Sequence, residues 1–234
     1  MNHIKHLLTT LTSLFLTFSS LSAQSPSTTP SDLDSLLLRA YTADQTVRQQ
    51  SLSLTRRINA GEVTPEAIDS LVWLSSETER IDSENIALVN SILKKGWPEN
   101  LNEESYETIW LIIDHSSLKQ QKKHLKTLEK AADNGDISYI DLATLKDRIA
   151  MHEGKPQLYG TQSQITVTAD GKQTIYIWPV KDPSRLEQMR KEIGLSSIEE
   201  YVKDIEESTG IKTVYEPGMT VKEIKRLSKN QVVM

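Results

Sequence analysis

The chain contains no cysteine, which excludes disulfides, thiolate metal sites, a cysteine nucleophile and a lipid-modified cysteine together. Its stability must come from packing. It also has no surplus of positive charge: 27 Lys and Arg stand against 32 Asp and Glu, for a formal net charge of −5. Nothing in that balance gathers phosphate backbones, so nucleic acid is excluded as an expected partner. Glycine and proline number 9 and 8, too few for a low-complexity or fibrous chain. No apolar run reaches the roughly 20 residues of a membrane span. The stretch from Leu7 to Phe18 is diluted by Thr and Ser. Gly-x-Ser-x-Gly, phosphate-loop and dinucleotide fingerprints are missing, as is His-x-x-x-His, so the sequence suggests neither a cofactor nor a metal.

What is present reads as a folded body behind an export signal. Hydrophobic residues make up 37% and charged residues 25%, the balance of a globular domain. Lys5, the apolar stretch after it and the small Ala23 give residues 1–23 the pattern of a secretory signal. The product is then periplasmic or secreted, with no membrane span once the signal is removed. Residues 24–30 form a Ser/Thr/Pro linker. A helical domain over 31–195 and a C-terminal appendage over 196–234 complete the expected organisation.

Periodicity gives the elements. Leu33, Leu36, Leu37, Ala40, Val47, Leu54 and Ile58 share one stripe of a helix from Ser31 to about Ala60. Asp44 falls inside that stripe, with Arg48 one turn on. Thr64-Pro65 starts a second helix reaching towards Lys95. Polar residues interrupt its middle, with Asp82 on the apolar stripe and Asn85 near its edge, so either the helix breaks or an acid turns inward. Gly96-Trp97-Pro98 stops it. Helices follow over 103–115, 118–132 and 138–152, the last carrying Asp147 and Arg148. The period then changes to two, and strands over 165–168 and 174–178 flank Asp170-Gly171, a hairpin turn dipeptide. Asp182-Pro183 opens a helix to about Ile193, Ser196 or Ser197 another, and a short strand at 211–215 precedes a basic helix over 220–228. The fold class is mainly α (α+β): a helical bundle with one β-hairpin after the fifth helix and a small C-terminal α/β appendage.

In order along the chain stand Asp44 and Arg48, Asp82 and Asn85, Gly96-Trp97-Pro98, Trp110 and His115, Asp147-Arg148, and Gly154-Lys155-Pro156-Gln157-Leu158-Tyr159-Gly160-Thr161-Gln162. With these the chain resembles a bacterial family, domain of unknown function 6624, over roughly residues 34–195. The Gly-x-Pro-Gln-x-Tyr-Gly-Thr-Gln element is long and specific. Asp114 stands where the family often has Gln, and Pro179, Asp182 and Pro183 match its Pro-x-x-Asp-Pro pattern. The resemblance implies a helical body with a hairpin and brings no activity with it.

The candidate site follows from inward polar residues. Asp44, Asp147 and His115 are the candidate acid and base groups. Arg48 and Arg148 would set their ionisation or hold a negative group. Asp82 and Asn85 add polar groups, and Gln157, Tyr159, Gly160, Thr161 and Gln162 form a turn suited to a small polar ligand such as a glycan or peptide. Each has a structural counterpart: a buried salt bridge for Asp44 and Arg48, a hydrogen-bonded core histidine for His115, and side chains that satisfy backbone for the two glutamines. Two function classes therefore stand side by side, a hydrolase-like or ligand-binding site and a non-catalytic envelope or interaction protein with a structural network. An enzyme would need these groups in one accessible chamber. The sequence fixes no reaction and no oligomeric state.

Overall fold

Long amphipathic periods set the architecture. The computed structural model describes residues 32–167 and 172–229. The expected signal, the linker, the Ser31 cap and the Asp170-Gly171 turn lie outside the described residues. Helix α1 is Asp32–Asn59 and α2 is Pro65–Leu93. Thr64 caps α2 by accepting from Ala67 N, and Pro65 fills the first helical position, where a missing N–H costs nothing. The polar middle of α2 does not break it. Asp82 has a cation to face, as shown below, so the helix can continue. Helix α3, Glu103–Asp114, follows a loop pinned by Trp97 stacked on Tyr106 at 5.7 Å and by the Tyr106 hydroxyl donating to Pro98 O.

These helices form one unit, ending at Ser116. Leu37, Val89, Ile109 and Ile113 are fully buried in it, each contributing about 1.5–3 kcal/mol of burial. Asn85 donates from Nδ2 to Ala40 O at 3.2 Å, cross-linking α1 and α2.

The second unit begins at Ser117. Helix α4 is Leu118–Asn134, and its polar sequence still buries Leu128, Ala131 and Ala132 on one face. Helix α5 is Tyr139–His152, opened by a capping box between Ser138 and Asp141. Strands β1, Ser163–Val167, and β2, Gln173–Ile177, pair antiparallel in the register Ser163 with Ile177. Asp182-Pro183 opens a 3-10 turn, Pro183–Arg185, before helix α6, Leu186–Glu192. Helix α7, Ile198–Thr209, starts at a capping box on Ser197; strand β3, Thr213–Val214, and helix α8, Val221–Lys229, follow.

The fold is mainly helical with a small three-stranded sheet in the order β1, β2, β3. Residues after 195, expected as an appendage, are part of this unit: β3 adds parallel to β2, pairing Ile175 with Thr213. The unit boundary lies instead between Ser116 and Ser117. The reason is non-local pairing: the strand expected over 211–215 carries no signal for its partner, which is the edge of β2.

Candidate functional site

The residues singled out by sequence gather into two buried polar groups, one in each unit. In the first unit Asp44 is 1% exposed. One helical turn separates it from Arg48, so both side chains leave the same side of α1. Arg48 donates from Nη1 to Asp44 Oδ1 at 2.8 Å and from Nη2 to Asp82 Oδ1 and Oδ2 at 2.8 and 3.1 Å. His115 caps the end of α3 and brings Nδ1 to 3.0 Å from the same Asp44 Oδ1. Gln45 Nε2 donates to Asp44 Oδ2 at 2.8 Å.

The chemistry follows from that geometry. An ionised carboxylate only accepts, so His115 Nδ1 carries the hydrogen it shares with Asp44. In the neutral ring Nε2 is then the basic nitrogen. No described residue hydrogen-bonds Nε2. Burial pushes the Asp44 carboxyl up, but the hydrogen bond and charge of His115, the charge of Arg48 and the Gln45 hydrogen bond outweigh it, leaving Asp44 below its usual value. At Asp82 burial wins and the carboxyl is raised, although the Arg48 charge and hydrogen bonds pull it down. Arg48, expected to hold a negative group of a ligand, has both terminal nitrogens on protein carboxylates.

In the second unit Asp147 is fully buried on α5, with Arg148 buried beside it. Its Oδ1 accepts from Leu158 N at 2.7 Å, its Oδ2 from Tyr159 N, Thr161 N and Thr161 Oγ1 at 3.0 to 3.1 Å. The turn is thus wound around one carboxylate. Burial pushes Asp147 up to about 6 against the pull of these hydrogen bonds. Gln157 acts as a short piece of strand: its Nε2 donates to Gln162 O and Trp178 O, and its Oε1 accepts from Gln162 N. Gln162 donates from Nε2 to Thr144 O at 3.4 Å and to Thr161 Oγ1 at 3.3 Å. From outside the turn, Arg190 Nη1 donates to Tyr159 O at 2.6 Å and the Tyr201 hydroxyl to Thr161 O at 2.7 Å.

Gly160 is in this turn for a backbone reason. Its φ is +70°, and a Cβ there would lie 3.1 Å from Ile198 Cδ1. Gly160→Ala should therefore cost about 1–2 kcal/mol from the left-handed backbone, with more from displacing Ile198. A thermal melt matching that of the unmodified chain would refute this.

Asp44, Arg48, Asp82 and His115 therefore converge, and so do Asp147, Gln157, Thr161 and Gln162, each set within its own unit. Asn85 is buried and serves the α1–α2 cross-link. Tyr159 is half-buried, and its hydroxyl has no hydrogen-bond partner among the described residues. Sequence reasoning missed Gln45, which adjacency to Asp44 could have suggested. It also missed Arg190 and Tyr201, 31 and 40 residues beyond their carbonyl partners, a separation with no periodic signal. Among the described residues no group of three or more His, Asp or Glu could hold a metal.

No curated protein and no solved structure matches the chain. A family match covers residues 31–214, reaching through β3 and so past the stretch that carries the sequence resemblance. With the Asp-anchored Gln-x-Tyr-Gly-Thr-Gln turn and the strand that follows it inside that span, the chain belongs to the family of unknown function DUF6624.

Proposed function

We propose that this chain is an exported protein whose first unit carries an acid–base centre for hydrolysis of a small polar molecule, with His115 as the proton acceptor. The observation that supports it is the shared oxygen: Asp44 Oδ1 lies 2.8 Å from Arg48 and 3.0 Å from His115. Asp44 orients the ring through Nδ1 and would stabilise the imidazolium formed when Nε2 takes a proton from an attacking water. Arg48 holds Asp44 in place and shares its charge with Asp82, so it positions the carboxylate and does not bind substrate. The Gln157 to Gln162 turn, whose glutamine amides donate to Gln162 O, Trp178 O, Thr144 O and Thr161 Oγ1, is scaffold in this reading.

The burial of both Asp44 and His115, whose side chains are 1% and 5% exposed, supports a second reading, a structural network with no turnover. Two measurements separate them. Nitrogen NMR of His115 at alkaline pH should show the hydrogen on Nδ1, and a hydrolase screen should yield an activity that His115→Ala lowers by about 10²- to 10⁴-fold. Added imidazole should restore part of it. A ring with its hydrogen on Nε2, or an activity indifferent to His115→Ala, would sink the catalytic reading in favour of the structural one.

A further inference from the structure

The α1–α2 hairpin has two long grooves, and α3 fills one of them. At 100° per residue, Asp44 and Arg48 on α1 and Asp82 on α2 point towards α3. Arg39, Thr46 and Gln50 on α1 and Trp73 on α2 point the other way. There a groove of about 560 Å³ opens between the two helices. That volume suits a small ligand. Its floor is apolar, with Val47 and Ile81 buried. Trp73 forms a wall and is 60% exposed, a large aromatic surface left to solvent where burial would be favourable.

The polar groups along the groove narrow the ligand class. Arg80 is held by two carboxylates, Glu77 and Glu84, at 2.5 and 2.6 Å, and is not free to meet a ligand anion. Arg39 has no ion pair or hydrogen bond among the described residues, and the side chains of Thr46 and Gln50 have none either. Among the described residues the groove lining therefore presents one cation without an ion-pair partner, Arg39, a hydroxyl and an amide that both donate and accept, and an open indole face. A pyranose ring fits that set: its weakly positive C–H face stacks on the negative face of the indole, and its hydroxyls pair in both directions with Thr46 and Gln50. An amphipathic helix would leave these polar groups buried without partners, at about 1–3 kcal/mol each.

The spacing gives a length. Asn85 with Ala40 and Asp82 with Arg48 show α1 and α2 running antiparallel, which sets Trp73 past Gln50, opposite about positions 52 to 57 of α1. Arg39 lies about 13 to 18 positions away, about 20–27 Å along the helix at about 1.5 Å per residue, a span that the two long side chains shorten by both reaching into the one groove. We infer that the open α1–α2 groove binds a short acidic saccharide, one sugar ring stacked on Trp73 and a carboxylate paired with Arg39. This site lies on the other side of the hairpin from His115 and stands independently of the catalytic reading.

Calorimetric titration of the full chain with trigalacturonate, beside neutral maltotriose, tests it at low salt. The acidic sugar should bind at least tenfold more tightly than the neutral one. Trp73→Ala should weaken binding of the acidic sugar by tenfold or more, and Arg39→Gln should remove the preference for it. Both side chains are exposed, so both variants should keep the fold, which circular dichroism checks. Binding of neither sugar, or equal binding of both, overturns the proposal, as does binding that survives Trp73→Ala. Sedimentation showing a dimer that Trp73→Ala dissociates would assign the groove to a second copy and overturn it too.

Discussion

Asp147→Ala is expected to destabilise the second unit by about 3–5 kcal/mol, because it strips the shared acceptor from three backbone N–H groups and the Thr161 hydroxyl. Each such buried donor left without a partner costs about 1–3 kcal/mol, and the loss of the charged group's own burial penalty returns only part of that. Asp147→Asn keeps one oxygen but turns an NH2 towards N–H donors, so it should lose less, about 1–2 kcal/mol. Hydrogen exchange at Leu158, Tyr159 and Thr161 measures this directly. Unchanged protection of those amides in Asp147→Ala would show that the turn is held by Arg190, Tyr201 and Gln157 without the carboxylate.

The same residue gives a pH dependence. Its folded value, about 6, lies above the ordinary 3.8. Between those pH values the folded chain keeps a proton that the unfolded chain has lost. The contribution of Asp147 is therefore full below pH 3.8 and lost as pH rises through about 6, a difference of about 3 kcal/mol. The Asp147 carboxyl carbon should titrate near 6 by NMR, and the slope should vanish in Asp147→Asn. Titration near 3.8 would mean that the hydrogen bonds offset burial in full.

Asp44→Ala should have an effect of similar size in the first unit, about 3–5 kcal/mol, as expected when one member of a buried ion network is removed. It leaves Arg48 with Asp82 alone and His115 Nδ1 without its acceptor. In that background Arg48→Met should cost less than it does alone, with a coupling of about 1–3 kcal/mol in the double-mutant cycle. Strict additivity would mean that water replaces the network without loss. The pH sign is opposite to that of Asp147. The Asp44 carboxyl is held below 3.8 when folded, so its contribution is present above that value and lost as pH falls through the folded one. Acid should therefore loosen the His115 end of α3 by way of Asp44 while leaving Asp147 in its favourable state. Peptide-resolved hydrogen exchange at pH 7 and at a pH below the folded Asp44 value, itself under 3.8, tests the contrast.

The sequence by itself determined the helices, because period, cap and stop are local. Thr64-Pro65, Ser138 with Asp141 and Gly135 after α4 each act within a turn of their own position, and the Asp44–Arg48 pair is a one-turn contact. It also marked the Gln157 to Gln162 turn as unusual. Tertiary structure alone decided what those polar groups do. Asp82 meets Arg48 across 34 residues and His115 meets Asp44 across 71, and no pattern in the chain specifies which acid a base will reach. It decided too that a hydrogen-bonded polar group forms within each unit, that Gln157 and Gln162 are engaged with backbone, and that the segment after 195 completes a sheet. The physical reason is that helices and turns form from neighbours in the chain, whereas a buried charge takes whichever partner packing brings within hydrogen-bonding reach.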